Sequence, residues 1–403
     1  MTADPRTRVL ALLLAVAAVA AQAQTTKPLR IGVMTDMAGM TMDAVGPGSV
    51  IAAKMAAEDF GGKVAGRNIE ILTGDHQNKP DVGAVLARKW LDLDGVDAIV
   101  DLPNSSVALA VQEVTRNANR VVMPTAGASP ALSGKACTAN SIQWSRDSYG
   151  LAQSIGSAIV KSGGDSWYFI TADYAFGYAT EAAVSEVVTR SGGRVIGSVK
   201  HPTGSSDFSS YLLQAQSSKA KIIGMANAGA DTVLAMKQAA EFGIGTRNQR
   251  LVAAYINISE IHTLGLKAAQ GVQLVDTAYW DSSDEMRAWS RRFFERHRRM
   301  PTSLQADVYS AVTHYLKAVR NTDSTDGAAV VRAMKAMTIT GPVLNDARIR
   351  EDGRVVRDYY LFRVKTPEES KSPWDYYTLE QTIPGASLVR PLSESECPLV
   401  RKT

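Results

Sequence analysis

From Leu29 onward the chain alternates short apolar runs with Ala-rich or amphipathic segments, and that alternation restricts it to a parallel α/β architecture. Strands are predicted over 29–34, 69–72, 98–100 and 121–123, separated by helices over 49–60, 80–93 and 106–117. Gly61-Gly62 stops the first helix. After Trp144 the alternation starts afresh, with helices over 149–161, 176–190, 207–216 and 231–242 and strands over 167–170, 195–199, 222–225 and 251–253. One sheet of that many strands would be unusually large, so two sheets are expected. An internal echo agrees: Gly61-Gly62-Lys63-Val64-Ala65-Gly66 and Gly192-Gly193-Arg194-Val195-Ile196-Gly197 share a helix-stop, strand-start grammar.

The last third reads as a strand over 272–275, helices over 284–298, 303–319 and 327–337, and a hairpin of strands 347–349 and 359–364 turning at Asp352-Gly353. From Pro367 the Pro-, Ser-, Trp- and Tyr-rich tail reads as an ordered but irregular strap. Trp289, Phe293, Phe294 and Tyr315 stand at helical spacing and are read as core. The arginines between Arg291 and Arg299 are read as a solvated helix face.

The start of the chain has its own grammar. Arg6 and Arg8 precede an unbroken Val/Leu/Ala run from Val9 to Ala20, and Ala21-Gln22-Ala23 supplies a small-x-small cleavage pattern. The run is well short of the roughly 20 residues that span a bilayer. Residues 1–23 are therefore expected to be a signal peptide of an exported protein, without a lipid attachment cysteine. Losing Arg6, Arg8 and Asp4 with the leader takes the formal charge from +4 to +3, too dilute for a nucleic-acid partner. Cys137 and Cys397 are the only cysteines. Export favours one bridge between them over two free thiols, and closing so long a loop would be worth roughly 4–5 kcal/mol.

Local signatures of catalysis are missing. No Gly-x-Gly-x-x-Gly, Walker-type Gly-Lys-Ser/Thr or Gly-x-Ser-x-Gly follows a predicted strand, and the five histidines lack metal-pair spacing. An enzyme, a cofactor and a metal are therefore not expected.

In open α/β sheets ligands bind beyond the carboxyl ends of strands. Three such loops stand out: Leu102-Pro103-Asn104-Ser105-Ser106, Thr125-Ala126-Gly127-Ala128-Ser129-Pro130 and Thr171-Ala172-Asp173-Tyr174-Ala175-Phe176-Gly177. The first offers hydroxyls and a helix N-terminus suited to an anion, the second small residues that admit a ligand close to the backbone, the third aromatics. Each also reads as a plain helix start, with Ser106 and Asp173 as N-caps.

With Arg146-Asp147-Ser148-Tyr149 and Lys237-Gln238-Ala239, these loops make the chain resemble the leucine/branched-chain amino-acid-binding family, periplasmic solute-binding proteins of ABC importers. The resemblance implies two Rossmann-like lobes joined by three hinge crossovers, near 144–147, 276–281 and 353–358. The lobes would comprise 24–145 with 279–355 and 146–278 with 356–366, leaving 367–403 as the strap. A small-molecule carboxylate would lie between them, and hinge closure would form the surface read by an inner-membrane permease. Asn104, Ser105, Ser106 and the Ala126, Gly127, Ala128, Ser129 loop would meet the carboxylate; Tyr149, Phe176, Asn227 and Tyr255 would line the other side. A periplasmic monomer importing its ligand is implied, with a sensor for a membrane receptor as the alternative.

One departure bears on the ligand. Family members that take amino acids place an acidic residue on the second lobe against the ammonium, whereas here Tyr255 falls at that position. A buried ammonium without a counter-charge is costly. This tilts the expectation toward a carboxylate lacking an amine, such as an aromatic acid, with Tyr255, Phe176, Tyr279 and Trp280 available for stacking. The alternative leaves Asp147 or Asp173 to meet an amine.

Overall fold

The structure, a computed structural model, describes residues 27–244, 249–253 and 255–400. The expected leader, 1–23, lies outside them.

Two parallel sheets organise the fold. The first contains β1 (Leu29–Thr35), β2 (Lys63–Val64), β3 (Arg67–Asp75), β4 (Ala98–Asp101) and β5 (Val121–Pro124), in the order β2-β3-β1-β4-β5. β1 is parallel to β3 and β4, with Ile31 opposite both Ile71 and Ala98, while β2 is a short antiparallel addition to β3. The second sheet contains β6 (Ser166–Ala172), β7 (Arg194–His201), β8 (Ile222–Ala226) and β9 (Arg250–Ala253), in the order β7-β6-β8-β9. Leaving aside β2, both sheets place their second strand outside the first and their third and fourth beyond it. The glycine echo marks equivalent places: Gly61-Gly62 and Gly192, all at positive φ, precede the strand entering beside β1 and the one entering beside β6.

Helices α1 (Gly46–Asp59), α2 (Pro80–Asp92) and α3 (Ser105–Ala118) cross the first sheet; α4 (Ser148–Lys161), α5 (Ala175–Arg190), α6 (Ser209–Ser217) and α7 (Ala230–Glu241) accompany the second, followed by α8 (Ile258–Leu264) and α9 (Leu266–Ala269). The first core joins Leu29, Ile31 and Val33 to Ala53 and Met55 of α1, and to Trp289, Phe293, Val312 and Tyr315 of two later helices, α10 (Asp284–His297) and α11 (Ser303–Thr322). These are the aromatics read as core, with Phe294 only half-buried. The basic face of α10 is exposed, but it is ion-paired: Arg292 bonds Asp59 at 3.0 Å and Arg296 bonds Glu58 at 2.8 Å, clamping α10 to α1.

The hairpin expected between 347–349 and 359–364 does not form. After α12 (Gly327–Ala336), β11 (Arg348–Ile349) pairs with β12 (Val355–Val356), whereas β13 (Tyr359–Val364) lies between β10 (Gln273–Asp276) and β14 (Tyr377–Ile383) in an antiparallel sheet. The chain changes sheets between Val356 and Tyr359, so neighbours in sequence part company. β14 also corrects the reading of the tail as irregular. Its residues are mostly exposed, so no apolar alternation marked it. Beyond it, Cys397 is disulfide-bonded to Cys137, with Cα atoms 5.6 Å apart.

Three connections between the sheets are laced by buried ion pairs. Arg146 pairs with Asp276, Arg354 with Asp147 at 3.2 Å, and Arg357 with both carboxylate oxygens of Asp307. Removing either partner would strand a buried charge, so these pairs fix where the connections sit.

Candidate functional site

The carboxyl ends of the two parallel sheets face one another across a cavity of about 370 Å³, part of it open to solvent. Thr41, Ala44 and Val45 from the β1–α1 loop, Pro103, Ala126 and Ala128 line one side, with Leu304 of α11; Tyr174, Phe176, Ala228, Gly229, Tyr255, Asn257 and Glu260 line the other.

The first side is shaped by backbone held in unusual conformations. Asp101 and Leu102 close β4 at φ 89° and 60°, where side-chain-bearing residues rarely sit. The turn delivers Asn104, whose Oδ1 accepts N–H bonds from Ser106 at 2.9 Å and Val107 at 3.2 Å. Asn104, rather than the Ser106 expected from sequence, is therefore the α3 cap. Ser105 Oγ accepts the Ser129 N–H at 3.2 Å, and Ser129 Oγ accepts that of Ala131 at 3.4 Å, so both hydroxyls brace the loop that carries Ala126 and Ala128. Gly127 stands between these two lining residues. A Cβ there would come within 2.9 Å of Leu102 O.

The second side is aromatic. Phe176 meets Tyr255 edge-on, centroids 5.3 Å apart, and Tyr174 lies 5.9 Å from Phe176. Burial pushes the Tyr174 and Tyr255 phenols up, keeping them neutral. The Tyr255 hydroxyl donates across the cavity to Ala126 O at 3.4 Å. Asp173, expected as the α5 cap, instead accepts from the Tyr178 hydroxyl; Tyr174 occupies the cap position without a side-chain bond.

Other expected residues lie elsewhere. Asn227 is buried beside the cavity, but its Oδ1 accepts from Thr232 Oγ1 at 2.8 Å and its amide contacts His201. Tyr149 lines a separate cavity beneath the strap, with Arg390 5.2 Å from its ring. Tyr279 packs against Phe362 and Tyr377 and donates to Trp374 O at 3.1 Å. The antiparallel sheet that includes β14 draws it away from the cleft.

The lining features not read from sequence are the Thr41–Val45 loop, Ala228, Gly229, Asn257, Glu260 and Leu304. Asn257-Ile258-Ser259-Glu260 carried a usable signal, the Asn-x-x-Glu capping box before an apolar helix. Glu260 accepts the Asn257 N–H at 2.8 Å and the Ser259 hydroxyl at 3.2 Å, while burial pushes its carboxyl up. Behind this wall lies Arg146, its guanidinium 4.3 Å from the Tyr255 ring centre and bonded to Asn257 Oδ1 at 2.8 Å.

Comparison with known proteins places this arrangement. Residues 28–371 match a family described as periplasmic binding protein. A periplasmic binding protein from Burkholderia mallei is 45% identical, with a TM-score of 0.91 over 93% of this chain and 100% of that one. A branched chain amino acid ABC transporter periplasmic ligand-binding protein from Burkholderia xenovorans LB400 is 36% identical, with a TM-score of 0.82 over the same shares. A Rhodopseudomonas palustris ABC transporter solute binding protein in complex with benzoate shares the fold, with a TM-score of 0.81 at 17% identity, over 92% of this chain and 100% of that one. Among curated proteins none matches. The chain belongs to the periplasmic binding proteins and has their type I fold.

Proposed function

We propose that this protein is the substrate-binding component of an ABC importer, exported to the periplasm by residues 1–23, and that it binds a small aromatic carboxylate without transforming it. The lobes that close on the ligand are 24–145 with 279–355 and 146–278 with 356–366. The observation that carries the reading is the cavity wall at Phe176 and Tyr255: two rings meeting edge-on that present an apolar, stackable face to the cavity. Glu260 is the acidic residue that lines the cavity, and its carboxylate caps α8. Opposite the rings, the small residues Ala126 and Ala128 leave room for a carboxylate close to the backbone.

A thermal-shift screen of the protein lacking residues 1–23 tests this reading against benzoate, 4-hydroxybenzoate, leucine and valine. Ligand at 100 times its Kd adds about 2.7 kcal/mol of stability, a readily measured rise in Tm. An aromatic acid is expected to produce that rise and to be recovered chemically unchanged. A rise with leucine or valine and none with either aromatic acid would overturn the proposed ligand class.

A further inference from the structure

Arg146 lies outside the cavity, fully buried in the first connection between the sheets. Its guanidinium nevertheless reaches both walls. Nη2 donates to Asn257 Oδ1 at 2.8 Å, and the guanidinium carbon stands 4.3 Å from the centre of the Tyr255 ring; both residues line the second side. Nη1 donates to Ser303 Oγ at 2.7 Å and to Asp276 at the end of β10. Ser303 begins α11, directly before Leu304 of the cavity. The same helix start holds the first wall in place, because Thr302 Oγ1 donates to Ala44 O at 2.6 Å and Gln305 Nε2 donates to Val45 O at 3.1 Å.

We propose that Arg146 is the positioning residue that couples ligand contact to closure, by fixing Tyr255 and Asn257 on one wall and the start of α11 on the other in a single bonded unit. The inference rests on the reading that the Phe176–Tyr255 cavity is the ligand site. A planar fork with several fixed donors and a stackable face can serve Asp276, Ser303, Asn257 and the Tyr255 ring together; a lysine ammonium, a point charge on a flexible stem, cannot. Parting the walls draws Ser303 away from Asn257 and Tyr255. Arg146 then keeps one set of partners or the other, and its full set returns only on closure. Its Nε has no partner among the described residues, so the residue is held by its two terminal nitrogens and its face.

The test compares the leaderless wild type with Arg146→Lys and Ser303→Ala by calorimetric titration and small-angle scattering, using the tightest binder among benzoate, 4-hydroxybenzoate and leucine. Arg146→Lys is expected to weaken binding at least tenfold and to leave the saturated protein less contracted than wild type. Ser303→Ala, which removes only the bond to α11, is expected to weaken binding severalfold with little change in Tm. A residue serving only as a buried ion pair would lower the melting temperature alone. Wild-type Kd and wild-type contraction in both variants would therefore overturn the inference. Should Arg146→Lys fail to fold, Ser303→Ala decides alone. If none of the three probes binds wild type, the ligand reading fails separately. The scattering of the unliganded proteins then decides: a more extended Arg146→Lys supports the coupling, and identical profiles overturn it.

Discussion

Cys137 and Cys397, 260 positions apart, are joined by a disulfide that fastens the end of the strap to the segment following β5. The strap enters from β14, in the sheet shared with β10 and β13, and is held on that side by the Gly385 N–H bond to Asp358 at 2.9 Å and by Leu388, buried in the core around α4. It thus spans from the second lobe to the first as a covalent fourth link. Replacing both cysteines by serine is expected to lower the free energy of unfolding by about 2–5 kcal/mol, read by urea denaturation of the oxidised wild type against the double variant. Equal stabilities would show that the link restricts neither the folded nor the unfolded chain.

Asp101 supplies a pH-dependent prediction. Burial raises its carboxyl to about 6 from 3.8, against the opposing pull of Thr35, Ser49 and Thr125. A carboxyl that holds its proton more tightly when folded adds stability as the pH falls through about 6, and the full gain is present below the unfolded value. Above pH 6 its charged form is a burden. Asp101→Asn is therefore expected to be more stable than wild type at pH 8, by up to about 3 kcal/mol, and to lose most of that advantage by pH 4.5. Denaturation curves at the two pH values check it, and a difference independent of pH would assign the titration elsewhere.

Gly229 marks a close backbone approach between the two sides of the cavity. At φ 63° it would bring a Cβ within 2.2 Å of Met40 O, the same carbonyl that accepts the Ala230 N–H at 2.9 Å. Gly229→Ala is expected to prop the walls apart: ligand affinity falls at least tenfold and the radius of gyration of the saturated protein grows. The positive φ adds a stability loss of roughly 1–2 kcal/mol. Unchanged affinity and radius would mean that the approach of Met40 and Gly229 plays no part in binding.

What the sequence disclosed follows from which forces are local. The strand-helix alternation, the two-sheet division and the glycine echo depend on near neighbours, and the sheets β3-β1-β4-β5 and β7-β6-β8-β9 reproduce them. Phe176, Ala126 and Ala128 were placed from loop position and Tyr255 from the family resemblance, and all four line the cavity. Tyr149 was placed from the resemblance and Tyr279 as an aromatic available for stacking, yet distant segments decide their surroundings: Arg390 of the strap and Trp374 beside β14. Asn104 displaced Ser106 as the cap because two residues at positive φ start the α3 turn early. Arg146 could be quoted as part of a motif, but its partners at 257, 276 and 303 are brought together only by the fold.

The most direct measurement is the position of a bound ligand. Crystals of the leaderless protein grown with the tightest aromatic acid from the screen are predicted to show its ring against Phe176 and Tyr255, with its carboxylate at Ala126 and Ala128. Density for an amino acid with its ammonium against Glu260, or for any ligand lodged beside Tyr149 or Tyr279 instead, would contradict the account.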